Sequence, residues 1–309
     1  MADVILARTA DASREKITET VSRVLNSLNY DFPSNISKIV IKPNLCYYWD
    51  YSTGQTTDPR VVSAIIDWIR QRISRDVNIL VAEADATAMR TKYAFKMLGY
   101  EKVSQEKNVS LINLCQGSIL NRDVLIDGEK LSLPVSETLL SADLIINVPK
   151  IKSHRAIGFS CALKNMFGAI AKPGKYSYHG ILSRVIVGIN KIVKSDIVLV
   201  DGVIVAGKTP KKMGLLATSR DALSSDMVVA QIAGYNPKRI RYLKLAATEK
   251  IGDYNSRLVS LDDPVGLARS MKEFPKQNYF LQMLLWNSQL KMLKWYAKIF
   301  GDVIPPVLN

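Results

Sequence analysis

KIVIKPNL (38–45), DPRVVSAIIDWIRQR (58–72) and NILVAEAD (78–85) follow one another along the chain, and their reading decides the fold. The first and third are short apolar runs rich in β-branched residues, and they predict buried strands. Between them Val62, Ile65, Ile66 and Ile69 recur at the spacing of one helical face. Asp58 is the expected N-cap, its carboxylate accepting from the unpaired N–H groups of the first turn. Pro59 suits that turn because its missing N–H is not needed there. Strand, helix, strand in this order is the unit of a parallel sheet.

The alternation extends in both directions. DVILAR (3–8) reads as a strand, followed by a helix over Asp11–Leu28 with Ile17, Val21, Val24 and Leu25 on one face. LIINVP (144–149), DIVLVD (196–201) and LLATS (215–219) are further strands, and a helix is expected from Asp221 to Ala233. The expected fold class is α/β: a mainly parallel sheet with helices on both faces, in Rossmann-like layers. Residues 1–270 form this domain. The composition shifts near Pro275, and residues 276–300 are expected as an amphipathic C-terminal helical extension. Met283, Leu284, Trp286, Leu290, Leu293 and Trp295 would pack on the domain or on a second copy, giving a homodimer. The neighbouring Lys291, Lys294 and Lys298 leave open a membrane-surface contact.

The chain has 309 residues, 48% of them hydrophobic, enough for a large core and far from a disordered composition. MADVILARTADASR breaks its apolar run too early for a signal peptide. No apolar run reaches the roughly 18 residues of a membrane span. The three cysteines lie far apart. They suit a reducing cytoplasm and provide no intrinsic iron–sulfur motif. The net charge of +14 predicts attraction to nucleic acid, anionic lipid or phosphorylated metabolites. A lysine- and arginine-rich archaeal or thermophilic surface is the plainer source of that charge.

One segment asks for more. From Leu144 to Ser195 there is no aspartate or glutamate, while Lys150, Lys152, Arg155, Lys164, Lys172, Lys175, Arg184, Lys191 and Lys194 all fall inside it. Both histidines of the protein, His154 and His179, fall there too. Like charges close together repel, so such a stretch predicts a ligand that supplies the missing negative charge; a solvated basic face is the alternative. Parallel sheets bind ligands beyond the carboxyl ends of their strands. Polar residues stand at those ends: Asn44, Glu83 and Asp85, Asn147 and Lys150, and Asp201.

KPNL (42–45), INVPKIKSH (146–154), LKNMFG (163–168), Lys175 with His179, VDG (200–202) and TSRDALSSD (218–226) fall in one order. In this the chain, from about residue 38 to 260, resembles the family known as domain of unknown function 362. These are uncharacterised bacterial and archaeal proteins, often joined to a ferredoxin-like iron–sulfur module. The resemblance implies an α/β fold and a motif set that includes Lys152, His154, Lys164, Asn165, His179, Asp201 and Asp226. The ferredoxin cysteines are absent here, and the loop Gly207–Gly214, glycine- and proline-rich in the family, carries Lys208, Lys211 and Lys212.

GVIVAGKT (202–209) matches a phosphate-binding P-loop pattern but is set aside. Pro210, Gly214 and the strand LLATS leave no room for the helix that such a loop must open.

The expected function is therefore binding, and conversion if the protein is an enzyme, of a small phosphorylated or carboxylate metabolite. Lys42, Asn44, Glu83, Lys150, Lys152, Lys164, Asn165 and Lys175 form the expected binding set. His154, His179, Asp201 and Asp226 form the expected catalytic set. The cofactor is open; a divalent metal would draw on the histidines with Asp201, Asp226 or Glu83. Nucleic-acid or ribosome association is the less favoured reading, because the basic residues are not interleaved with aromatics as in an RNA module. A redox-partner scaffold is a third reading, resting on the family resemblance alone.

Overall fold

The structure is a computed structural model, and it describes residues 1–73, 76–87, 89–262 and 273–276 together with Ser288, Lys291, Met292, Trp295 and Ile299. The last five positions are helical and exposed. The remainder of the expected extension over 276–300, including Trp286, lies outside the described residues.

Among the described residues twelve strands run in chain order: β1 (Ala2–Arg8), β2 (Lys38–Pro43), β3 (Asn78–Glu83), β4 (Ser110–Asn113), β5 (Ile119–Ile126), β6 (Glu129–Ser136), β7 (Leu144–Val148), β8 (Lys150–His154), β9 (Gly158–Ser160), β10 (Ile197–Ala206), β11 (Pro210–Ser219) and β12 (Ser256–Ser260). The main sheet has the order β12-β1-β11-β10-β7-β2-β3-β4. Neighbours from β10 to β4 pair in parallel. β11 is antiparallel to both β10 and β1. The mainly parallel α/β sheet is thus present.

The central strands β2, β3, β7 and β10 are buried on both faces, which explains why their sequences read as continuous apolar runs. Alternate side chains serve opposite cores. Ile39, Ile41, Ile79 and Val81 meet the helices Arg14–Ser27 and Pro59–Arg72 through Ile17, Val21, Val62 and Ile66. Val40, Leu80, Val198 and Val200 face the other core, shared with the helices Leu182–Ile192 and Ala222–Ile232. Asp58 caps its helix as expected, accepting from the Arg60 N–H, and Asp221 caps Ala222–Ile232 through the Ser224 N–H.

Three features differ from the sequence reading. DIVLVD is only the first part of β10, which continues through Gly202 to Ala206 because β11 pairs along it on both sides of an irregularity between Gly202 and Ile204. The two strands form a hairpin, so GVIVAGKT is strand and turn with no helix after its lysine. β5 and β6 form a separate antiparallel hairpin whose turn, Asp127-Gly128, has positive φ at both residues (54° and 75°). That is the geometry of a tight primed turn, and the Asp-Gly pair was its available signal. Third, β8 and β9 leave the main order after β7, with β8 pairing to β10 at Asp201 and Ala206. This places KIKSH alongside the carboxyl-terminal half of β10.

Candidate functional site: a lysine cluster at the strand ends

β2, β3, β7 and β10 deliver their carboxyl ends to one edge. Strand register sets Lys42 directly beside Asn147. Lys42 is fully buried, and its Nζ reaches both oxygens of Glu83 at 2.9 Å and the Pro43 carbonyl at 3.1 Å. The Glu83 carboxylate also accepts from the N–H groups of Leu45 and Ala84. Gly168 packs against this pair: a Cβ there would stand 2.8 Å from both Glu83 Oε1 and Lys42 Nζ. The glycine of LKNMFG is thus needed for close approach.

Beside the pair runs a chain of amides. Asn44 donates to Asn165 Oδ1 (2.9 Å), Asn165 to Asn147 Oδ1 (2.7 Å), and Asn147 to the Ala162 carbonyl (3.0 Å). Its free acceptor end, Asn44 Oδ1, receives Lys152 Nζ at 2.6 Å; the Gln55 carbonyl receives the same ammonium at 3.0 Å. Lys175, also buried, donates to the Asp85 carbonyl at 2.7 Å. The Lys164 Nζ lies 4.4 Å from the centre of the Phe167 ring. No hydrogen-bond acceptor meets it among the described residues.

These cations feel one another. Burial pushes the Lys164 amine down to about 7, helped by the charges of Lys152, Lys175 and Lys42. Burial likewise pushes Lys175 down to about 8, where Glu83 opposes the shift. Lys152 is lowered mainly by burial as well. Glu83 is paired with Lys42, so Lys152, Lys164 and Lys175 stand with no carboxylate of their own.

The histidines adjoin the cluster. His154 ends β8 and is held well below the usual imidazole range, first by burial and then by the charges of Lys164, Lys152, His179 and Arg155. Its Nδ1 accepts from the Ala156 N–H at 3.1 Å, so the neutral ring carries its proton on Nε2. The His179 Nδ1 meets the Tyr176 carbonyl at 3.0 Å and must donate, which leaves the lone pair of the neutral ring on Nε2. The two rings therefore present opposite tautomers. The His179 ring also stacks edge-on against Phe167, with centres 6.1 Å apart. It lines a cleft of about 820 Å³ together with Ile157, Gly158, Arg184, Arg239 and Arg241.

Asp201 and Asp226, expected among acid–base or metal carboxylates, are placed differently. Asp201 is buried against Lys150, with Nζ to Oδ1 at 3.0 Å, and accepts from the N–H groups of Asp58 and Val203. This is an interior ion pair that ties the helix Pro59–Arg72 to β8 and β10. Asp226 accepts from the N–H groups of Ala162 and Leu163 at 2.5 and 3.1 Å, and from the Tyr242 hydroxyl. It closes the start of the short helix Ala162–Asn165 that carries Lys164. Among the described residues no three histidine, cysteine, aspartate or glutamate side chains converge as a metal cluster.

Residues 39–231, more than half of the chain, match the family described as domain of unknown function (DUF362). The chain belongs to the DUF362 family. A thylakoid-associated protein of Synechocystis sp. is 23% identical over 248 residues, covering 76% of this chain and 74% of its own length. The lactate racemase apoprotein from Thermoanaerobacterium thermosaccharolyticum overlaps 93% of this chain and 90% of its own at a TM-score of 0.44 and 12% identity. An overlap that loose carries no residue roles across. No helix among the described residues is long and apolar enough to cross a membrane.

The DUF362 segment contains the whole lysine cluster. It also contains residues that the sequence reading passed over. Asn147 stands at a strand end outside the expected binding set, yet it anchors the amide chain by accepting from Asn165 and donating to the Ala162 carbonyl. Phe167 and Gly168 carried no polar signal. Gln55 contributes only its backbone carbonyl, which no side-chain pattern can reveal.

Proposed function

We propose that this DUF362 protein binds a small anionic metabolite, phosphorylated or carboxylate, over Lys152, Lys164 and Lys175 and converts it there with the help of His154 and His179. The observation that carries the reading is the charge imbalance: three gathered lysines without a carboxylate partner, two of them buried, one fully hydrogen-bonded pair beside them, and the His154 imidazole alongside, held well below its usual range. Buried charges are ordinarily paired. An anion seated among these ammonium groups would complete the pairing and raise the lowered amines toward their ordinary values. Lys42–Glu83 and Lys150–Asp201 then act as fixed supports that hold the strand ends, and Asp226 positions Lys164.

Titration calorimetry with inorganic phosphate and with pyruvate, at constant ionic strength, tests this. Removing one charge-assisted hydrogen bond costs roughly 1.5–3 kcal/mol. Lys152→Ala is therefore expected to weaken whichever anion binds by about tenfold or more, with the circular dichroism spectrum unchanged. Affinity equal to that of the wild type would show the anion to sit elsewhere.

A further inference from the structure

The lysines of the cluster are not equivalent. Lys42, Lys152 and Lys175 donate to carboxylate, amide or carbonyl oxygens. Each nitrogen is thereby oriented toward those oxygens and engaged as a donor. Lys164 faces an aromatic ring, and among the described residues no oxygen accepts from it. Its position is nevertheless fixed. The helix that carries it begins under the Asp226 clamp, and the next residue, Asn165, is locked into the amide chain.

A primary amine held among other cations and half withdrawn from water resists protonation, and so a fraction of it keeps its lone pair near neutral pH. The His154 imidazole lies near enough to feel the Lys164 charge, and the His179 ring shares Phe167 with the Lys164 amine. The aromatic face beneath the amine can receive positive charge on the same nitrogen. We infer that Lys164 is a nucleophile that forms an imine with an anionic aldehyde or ketone, the anion being held by Lys152 and Lys175. The inference rests on the anion-site reading above and names its substrate class as carbonyl compounds bearing a carboxylate or a phosphate.

The step balances without any further reagent. The Nζ lone pair forms a bond to the carbonyl carbon while the carbonyl oxygen takes up a proton, giving a carbinolamine. That oxygen then leaves as water, so the two hydrogens of the amine depart with it and a carbon–nitrogen double bond remains. Nothing is oxidised or reduced. The low value of the Lys164 amine, about 7, agrees with this role, since a good fraction is neutral at physiological pH.

Borohydride trapping on the full chain decides the matter. Pyridoxal 5′-phosphate and pyruvate, each at one equivalent, would be reduced in place and the adduct mapped by peptide mass spectrometry. Pyridoxine 5′-phosphate and lactate, which lack the carbonyl, serve as binding controls by calorimetry. At least one carbonyl probe is expected to give a single adduct on Lys164. Trapping should rise with pH through about 7 in place of the ordinary lysine range. Lys164→Arg should abolish it, whereas Lys172→Arg, at an exposed neighbouring position, should leave it intact. An adduct spread over many lysines, or none while pyridoxine 5′-phosphate still binds, overturns the imine and leaves the anion site standing. If inorganic phosphate and both control compounds fail to bind at all, the anion site falls first and the imine with it.

Discussion

At the scale of single residues, the informative contrast is between Asp226 and Lys164. Both are polar groups of the family motifs, and both are held near neutrality by burial, at about 7 in each case. Their surroundings differ in kind. The Asp226 oxygens are met by backbone donors, so the side chain acts on the backbone; the Lys164 nitrogen is met by a ring, so its chemistry is left open. Asp226→Ala would strand the N–H groups of Ala162 and Leu163 in the core. Each unsatisfied buried donor costs roughly 1–3 kcal/mol, so a loss of about 2–4 kcal/mol is expected in urea denaturation. Asp226→Asn should lose less, because an amide oxygen still accepts. A neutral effect of the alanine change would mean that water or a repacked side chain takes over the cap. This distinction was not legible in the sequence. SSD at 224–226 shows an acid near a motif, but whether its oxygens meet backbone or solvent depends on the short helix at 162, which is far away in the chain. His154 and His179 were legible, because histidine is so scarce here that its placement carries information.

Elements bring the cluster together through three devices of differing visibility. The parallel strands and their capped helices were legible, because strands buried on both faces and helices with an apolar stripe leave clear periodic signals. The β8–β9 excursion was not: KIKSH mixes charge into a strand, since its lysines are buried by the site itself. The turn Met166–Ala169 was the third, and its key residue is the smallest one. Gly168→Ala would push a methyl group against both members of the Lys42–Glu83 pair, each 2.8 Å away. Both are buried and fixed by other hydrogen bonds, so neither can swing aside cheaply. Overpacking of this kind costs roughly 1–3 kcal/mol. The expected signature is a lower denaturation midpoint together with weaker anion binding, because the displaced turn carries Phe167 and adjoins Lys164. If stability falls while phosphate affinity is unchanged, the turn supports the sheet edge only and does not shape the site. Gly54 makes a comparable approach to the Val205 backbone, with a positive φ of 71°. It shows that the loop delivering Gln55 is pinned to β10 by close backbone contact.

The whole molecule carries a net charge of +14, which invites a polyanion, yet the least compensated lysines are gathered at one sheet edge and are mostly buried. Phosphates of a duplex cannot follow them there. Binding of duplex DNA or structured RNA is therefore expected to be weak at about 150 mM salt, with a steep salt slope where it occurs at all. Sub-micromolar retention under those conditions would favour a nucleic-acid role. The same buried charges shape stability across pH, and here the sign follows from linkage. Lys164 and Lys175 hold fewer protons folded than unfolded between their lowered values, about 7 and about 8, and the ordinary lysine value of 10.5. In that window the unfolded chain binds more protons, so their contribution to stability rises with pH. Asp226 does the opposite: its carboxyl stays protonated up to about 7 when folded but only to 3.8 when unfolded, so its contribution falls as pH climbs between those values. Together they place a minimum near neutral pH, where the cluster is charged and Asp226 is losing its proton. Thermal denaturation of the ligand-free protein should accordingly show a midpoint that rises from pH 7 toward 9.5. Inorganic phosphate should raise the midpoint most near pH 7 and lose its effect at the alkaline end, since the lysines then carry less charge to pair. General relief of the positive surface would also stabilise the protein as pH rises, so a variant separates the two causes. Lys164→Met removes the half-buried amine and keeps the rest of the surface charge, and it should raise the midpoint at pH 7 while flattening the alkaline rise. An unaltered slope in that variant would assign the pH dependence to the surface and remove Lys164 from the account of stability.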